Sequence, residues 1–301
     1  MKILDFGSMN LDYVYSVDHI VLPGETLSSS SMNIFPGGKG LNQAVALARA
    51  SSGQKEAPEV YMAGIVGEGG KMLLDVLEKS GVDTSLVKKV GGPNGNAVIQ
   101  VASGGENSIV LYGGSNQMMS RKYIDKVLDS FSSGDIIVLQ NEINLIGYII
   151  DKAYEKGMKI VMNPSPFDRN LENVDFSKVS LFFVNEVEAS QITGTTDEKD
   201  ALKKMEELFP SSAIVMTLGK RGAVFSLEGK RISHGIYSVK TVDTTAAGDT
   251  FTGFFTQAYF ALKLPAEKAL EIASKASAIA VSRQGASPSI PLLSEVMEYS
   301  F

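Results

Sequence analysis

The stretch DIIVLQNEINLIGYIIDKAYEKGMKIVMNP, residues 135–164, places two short apolar runs on either side of an amphipathic segment. DIIVLQ and KIVMNP are rich in β-branched residues and lack alternation, as strands buried on both faces are, whereas NLIGYIIDKAYEKG repeats its apolar residues at helical spacing. Strand, helix and strand in succession predict a βαβ unit, whose two strands lie parallel. The rhythm recurs outward in both directions. KILDFG, EVYMAGIVG, LFFVNE and AIVMTLG read as further strands, and GGKMLLDVLEKSG as a further helix. The predicted fold class is therefore α/β with a mostly parallel central sheet. Sites in such sheets lie beyond the carboxyl ends of the strands. That rule singles out Asn10, Asn141 with Glu142, Asn163, Asn185 to Glu188, and Thr217 with Gly219.

Two segments break the rhythm. DYVYSVDHIVLPGETLSSSSMNIF (12–35) and GNAVIQVASGGENSIVLYGG (95–114) show alternation and a Gly-rich hairpin turn but no helix. They predict a small antiparallel sheet, residues 12–35 and 95–114, inserted into a large domain made of 1–11, 36–94 and 115–301. A sheet without helices of its own suits a lid over a site or a contact between copies.

Bulk composition narrows the function classes. The 301 residues are 44% hydrophobic and 21% charged, and no apolar run is long enough to span a bilayer. The start, MKILDFGSMN, reads as a strand and not a signal peptide, so a cytoplasmic protein is expected. With no cysteine, disulfides, thiolate metal sites and cysteine nucleophiles are excluded. The net charge of −6, with no basic stripe, leaves a nucleic-acid partner without an electrostatic footprint and points to small molecules.

Two Gly-rich turns carry chemistry. In VDTTAAGDTFTGFF (242–255), Phe251, Phe254 and Phe255 fall at helical spacing with Ala258 and Tyr259 beyond them, so a buried helix begins near Asp249. Small residues at Ala246, Ala247 and Gly248 allow close approach to unpaired N–H groups, and the helix dipole favours an anion there. Asp249 at the same point suits a general base for phosphoryl transfer; it equally suits an N-cap. A free aspartate, with a pKa near ~3.9, is ionised at neutral pH. In FPGGKGLNQAVALARA (35–50), glycines open a second helix beside Lys39 and Asn42. The spacing is not a Walker A loop, which needs Ser or Thr directly after the lysine.

Taken together, GGKGLN at 37–42, NPSP at 163–166, NEVE at 185–188, TLGKRG at 217–222, DTTAAGDTF at 243–251 and RQGASPS at 283–289 resemble, in this order, the ribokinase family of ATP-dependent sugar kinases. The resemblance runs from Gly7 to Pro291 and implies a three-layer α/β fold with a small β lid that also joins two copies. It implies that a sugar, D-ribose phosphorylated at O5, is held by Asn10, Asp12, Gly38, Lys39, Asn42, Glu142 and Asp249. Asp249 is implied as the base, with the amides of Ala246, Ala247, Gly248 and Asp249 as an anion hole. For ATP it implies Asn185, Thr217, Gly219 and Gly222, with Glu188 organising Mg2+ through water. It implies a K+ site at Asp243, Thr245, Ala280, Arg283, Gly285 and Ser289, mostly through carbonyl oxygens. An Asp243 paired with a side-chain cation is the alternative there.

Some features depart from the family pattern. VGEGGKM carries Glu68 and Gly69 in place of a Gly-Asp-Asp motif, and Asn94-Gly95 followed by Asn96 replaces a Thr-Gly pair expected near the sugar. A kinase of another sugar or nucleoside (deoxyribose, fructose or adenosine), or a non-catalytic sugar-binding regulator, is the rival reading. His19 and His234 match no catalytic position.

Overall fold

In the computed structural model, residues 1–195 and 197–300 are described. The first half of the chain runs β1 (Lys2–Phe6), β2 (Asn10–Val17), β3 (Ser31–Gly37), α1 (Lys39–Arg49), β4 (Glu59–Ala63), β5 (Ile65–Glu68) and α2 (Lys71–Lys79). It continues through β6 (Lys88–Pro93), β7 (Gly95–Ala102), β8 (Asn107–Tyr112), α3 (Arg121–Leu128), β9 (Ile136–Gln140), α4 (Ile146–Glu155) and β10 (Lys159–Asn163). The second half adds β11 (Leu181–Asn185), α5 (Glu186–Thr193), α6 (Glu198–Leu208), β12 (Ala213–Thr217), β13 (Ala223–Leu227) and β14 (Lys230–His234). It ends with α7 (Ala247–Thr256), α8 (Ala266–Val281) and α9 (Leu293–Glu298).

The apolar runs assemble into one eight-stranded sheet in the order β14-β13-β12-β11-β10-β9-β1-β4. From β12 to β4 every pairing is parallel; β13 and β14 add an antiparallel edge. Because side chains alternate across a strand, Ile3, Val138 and Val161 face α1, α7 and α8, while Leu4, Ile137 and Ile160 face α3, α4 and α6. Both faces are thus covered, giving three layers with a core on each side of the sheet. The edge hairpin turns at Glu228 and Gly229, both with positive φ, and exposes Lys230 and Arg231, charges that discourage further strand pairing.

Register lines up the carboxyl ends of the parallel strands. Gln140 lies opposite Asn163 and Asn185 opposite Thr217, so the polar strand-end residues share one rim. Beside that rim stands a second sheet, β3-β2-β7-β8. It is mixed and not wholly antiparallel: β2 and β7 run parallel, from Asn10 opposite Gly95 to Val17 opposite Ala102. The reason is connectivity. Alternation identifies strands, but the direction in which β7 arrives depends on the intervening α1–β6 excursion, which alternation does not encode.

Two further local expectations are revised. EVYMAGIVG forms two strands, broken at Gly64, whose N–H donates to Tyr123 Oη at 2.9 Å and where a Cβ would meet Gly7 O at 2.7 Å. The second piece, β5, pairs with β6 in a separate two-stranded sheet. The helix predicted over NLIGYIIDKAYEKG starts only at Ile146, because Leu145 is left-handed with φ 64°. Among the described residues no helix is long and apolar enough to cross a membrane.

Candidate active site

A cleft of about 970 Å³ opens between the rim of the large sheet and the small sheet. Two helices aim their amino ends into it. α1 starts after Gly38, whose φ of 92° and whose Cα, where a Cβ would lie 2.9 Å from Asn10 N, admit only glycine without strain. α7 starts after Ala246, itself left-handed with φ 61°. A non-glycine residue in this region costs free energy and marks a turn dictated by its surroundings. The first-turn N–H groups of α7 have no partner in their own helix and face the cleft beside Asp249. The Ala247 amide is partly used, donating to Thr244 O at 3.3 Å.

Asp249 is gripped from α1. Asn42 Nδ2 donates to Oδ2 at 3.0 Å and Gln43 Nε2 to Oδ1 at 2.9 Å. Asp249 therefore does not cap its own helix, whose cap residue is Ala246 with no side-chain bond. Burial pushes its carboxyl up to about 6, against the opposing pull of Lys39 and the two amides. The value of a free aspartate thus does not carry over. Lys39 Nζ pairs with Glu142 Oε1 at 2.8 Å, and the Lys39 amide donates to Glu142 Oε2 at 3.1 Å. Ser8 Oγ also donates to Glu142 Oε2. Burial by itself would lower the pKa of Lys39, but the charges of Glu142 and Asp249 and the bond to Glu142 outweigh it and raise it. Asp12 lies against Gly37, and burial together with Glu142 pushes its carboxyl up to about 7. Asn10 Oδ1 accepts from Asn116 Nδ2 at 2.7 Å. Among the described residues Asn42 Oδ1 is buried with no partner, an acceptor left for a hydroxyl or water.

Carboxylates, amides and one ammonium around a cleft with two helix amino termini can hold vicinal hydroxyls next to a phosphoryl group. A model of the family described as "pfkB family carbohydrate kinase" matches residues 2–293.

The chain belongs to the pfkB family of carbohydrate kinases.

Among curated members it is 35% identical to a ribokinase of Haemophilus influenzae over 97% of this chain and 96% of that one. It is 30% identical to a deoxyribokinase of Salmonella typhimurium over 99% and 98% of the two chains. Among solved structures, an Arabidopsis thaliana ribokinase complexed with ribose and ATP superposes with a TM-score of 0.84, at 27% identity and 99% coverage of both chains.

In this pfkB kinase the implied sugar positions Asn10, Asp12, Gly38, Lys39, Asn42, Glu142 and Asp249 all line the cleft. So do Asn185, Glu188 and Thr217 at the other end. Asn185 and Glu188 cap α5 reciprocally: Asn185 Oδ1 accepts from Glu188 N at 2.9 Å, and Glu188 Oε2 from Asn185 N at 3.0 Å. Gly219 and Gly222 follow Thr217 in the chain and are not among the residues that line the cleft. Gly222 has a packing reason of its own, since a Cβ would lie 2.0 Å from His234 O.

Of the six implied cation positions, Asp243, Thr245 and Gly285 reach the cleft. Asp243 accepts from Thr245 N at 2.9 Å and Gly285 N at 3.0 Å. Burial would raise its pKa, but the Thr245 side chain together with those two amides outweighs it and lowers it. Among the described residues no side-chain cation pairs with Asp243, so the ion-paired alternative is not seen. Ala280, Arg283 and Ser289 are not among the residues that line the cleft. Arg283 turns its side chain to Glu295 at 2.6 Å, and Ser289 Oγ donates to Ala286 O at 2.7 Å.

Other strand-end residues are used structurally. Asn141 donates to Pro166 O and Asp168 Oδ1. Asn94, read from the sequence as a specificity position, is buried and pins backbone instead, donating to Met9 O at 2.8 Å and accepting from Gly67 N at 2.8 Å. Asn96 donates to Asn94 O. His19 is exposed beside Glu25, and His234 lies at the end of β14. Sequence reasoning missed Ser8, Gln43 and Asn116. Gln43 had a signal, a polar residue on the buried face of α1; the other two had none.

The carboxyl shifts give a pH prediction. A base at Asp249 would act only when ionised, so with that role kcat/KM should fall as pH drops through about 6, with Asp12 contributing from about 7. Asp12→Asn should leave a single acid limb near 6, and a profile flat down to pH 5 would contradict this assignment.

Proposed function

We propose that this kinase transfers the γ-phosphoryl group of ATP to the primary hydroxyl of D-ribose, giving D-ribose 5-phosphate and ADP. The observation that carries the reading is Asp249, held by Asn42 and Gln43 against the open amides of α7. Asp249 takes the hydroxyl proton as the oxygen attacks phosphorus, and the amides of Ala246 to Asp249 offset charge on the transferred group. A loose transition state needs positioning and late proton removal, which a carboxylate with a pKa of about 6 supplies at neutral pH. Asn10, Asp12, Gly38, Lys39, Asn42 and Glu142 bind the sugar hydroxyls, with Lys39 keeping its charge beside two carboxylates.

Asn185, Thr217, Gly219 and Gly222 accompany the nucleotide. Glu188, buried at the cleft with Oε1 not engaged in its cap, fits a Mg2+ ion held largely through water, which neutralises phosphate charge when bound. Asp243, held between two loops by amides without a side-chain cation, fits a K+ site completed by carbonyls of Thr245, Ala280, Arg283, Gly285 and Ser289. The small sheet closes over the cleft and joins two copies. In support, Phe35, Ile99 and Ile109 line the cleft, while Val98 and Val110 are exposed. Use of ATP suits a cytoplasmic enzyme.

Deoxyribose is the second reading, favoured by the 30% identity to a deoxyribokinase. ADP formation across ribose, deoxyribose, fructose, other pentoses and adenosine separates the two. Ribose preference is expected, and turnover is expected to be faster in K+ than in Na+ at equal ionic strength. Preference for another acceptor would overturn the sugar, and equal rates in both salts would remove the cation site.

A further inference from the structure

Four side chains lie end to end behind the base. Gln43 Nε2 donates to Asp249 Oδ1 at 2.9 Å, and Gln140 Nε2 donates to Gln43 Oε1 at 2.9 Å. The same Gln140 nitrogen lies 3.3 Å from both oxygens of Asp5. Asp5, Gln43 and Gln140 are each 0% exposed. Asp5 has no place in the sugar, nucleotide or cation sets, and it interrupts a strand whose neighbours Ile3, Leu4 and Phe6 are core. A carboxyl group in such a place is costly unless it is compensated.

We propose that Asp5 is a positioning residue for Asp249, acting through Gln140 and Gln43 to keep an amide hydrogen, and not an amide oxygen, turned toward the base. The two ends of a glutamine amide are nearly equal in shape and opposite in hydrogen-bonding character. Turning Gln43 over would set its oxygen against the Asp249 carboxylate. A donor from Gln140 at Gln43 Oε1 prevents this, and Gln140 in turn is held in that orientation by an acceptor on its other amide hydrogen, which is Asp5. Satisfied chains of this kind specify one arrangement, and losing an end partner frees the rest.

Asp5 does this best as the neutral acid. Burial drives its carboxyl well above the usual range, the Gln140 bond opposes the rise, and the charge of Asp249 adds to it. A neutral Asp5 would also carry a proton to offer Gln140 Oε1, which is buried and has no partner among the described residues. That oxygen and Asp5 Oδ1 both lie close to where a Gly7 Cβ would sit, at 2.2 and 2.8 Å. The other charges bearing on the base are Lys39 from α1 and Glu142 from the end of β9, with Asp12 of β2 beside Glu142 and Glu188 of α5 acting on Lys39.

The inference rests on Asp249 being the base, which Asp249→Asn tests by itself. The comparison that tests Asp5 is Asp5→Val against Asp5→Asn, because Asn supplies both the acceptor and the donor of a neutral acid while Val supplies neither. Asp5→Val should lower kcat by about tenfold, the order lost with one hydrogen bond to a charged group, leave KM for ATP unchanged, and move the acid limb of kcat to higher pH. Asp5→Asn should rescue both kcat and the limb. Gln140→Leu cuts the same chain nearer the base and should reproduce the Asp5→Val profile, which keeps the test open should Asp5→Val not fold. A wild-type profile in Asp5→Val or in Gln140→Leu would overturn the proposal, and so would an Asp5→Asn enzyme as impaired as Asp5→Val. Near-native turnover in Asp249→Asn would instead remove the base assignment.

Discussion

Asp249→Asn is expected to lower kcat by about 10³-fold, within the range lost with a general base, while sugar binding survives. The amide keeps the volume of the carboxylate and one acceptor oxygen but cannot take a proton from the attacking hydroxyl. The same change should stabilise the fold. The folded-state pKa of about 6 lies above the ordinary ~3.9, so between those values the folded protein holds a proton that the unfolded chain has released. Stability contributed by this group is therefore full below about 3.9 and is lost as pH rises through about 6. At neutral pH the ionised Asp249 is a net cost that Asn removes, and the unfolding midpoint should rise by about 3 °C. Calorimetry at pH 7.5 and steady-state ADP formation check the two halves. A lowered midpoint would show that the α1 amides and Lys39 more than offset burial, and kcat within tenfold of wild type would remove Asp249 from the role of base.

Gly253→Val should be strongly damaging although it lies outside the cleft lining. Helices α1 and α7 cross at Gly253, where a Cβ would lie 2.4 Å from Ala46 Cβ and 2.7 Å from Leu47 N. Those contacts include backbone that cannot rotate away, so the helices must separate. Overpacking of this kind costs about 3 kcal/mol, a large part of what a domain has to spare. Separation also draws Asn42 and Gln43, on α1, away from Asp249, on α7. Gly253→Val should therefore lose stability in denaturant titration, and whatever folds should lose kcat. Native-like stability would mean that the crossing adjusts more freely than its backbone contacts allow.

Much of this molecule was legible from the order of its residues. The eight-stranded sheet follows from apolar runs such as Ile136–Leu139 and Ile160–Met162 alternating with amphipathic helices, because parallel strands covered on both faces have no polar side to show. Turns rich in small residues marked 37–42 and 246–249, since only small side chains let helix amino ends stand open to a ligand. The family could be recognised from the motifs in order, and the family match over residues 2–293 agrees with it. Local pattern was weaker where a contact partner decided the outcome. The strand breaks at Gly64, where Tyr123 takes up the backbone N–H and Gly7 and Met9 leave no room for a Cβ, and Asn94, a candidate for specificity by position, is consumed by backbone groups of Met9, Gly95 and Gly67.

The sequence by itself determined the layers, the parallel sheet and the two turns that face the cleft, because periodicity and small-residue turns are properties of neighbouring residues. Tertiary structure decided the direction of β7 against β2, the raised pKa values of Asp12 and Asp249, and the chain from Asp5 through Gln140 and Gln43 to Asp249. These depend on burial and on polar atoms brought together across 97 to 206 positions of chain. Desolvation and hydrogen bonding act through space, and only the packed fold says which groups share it.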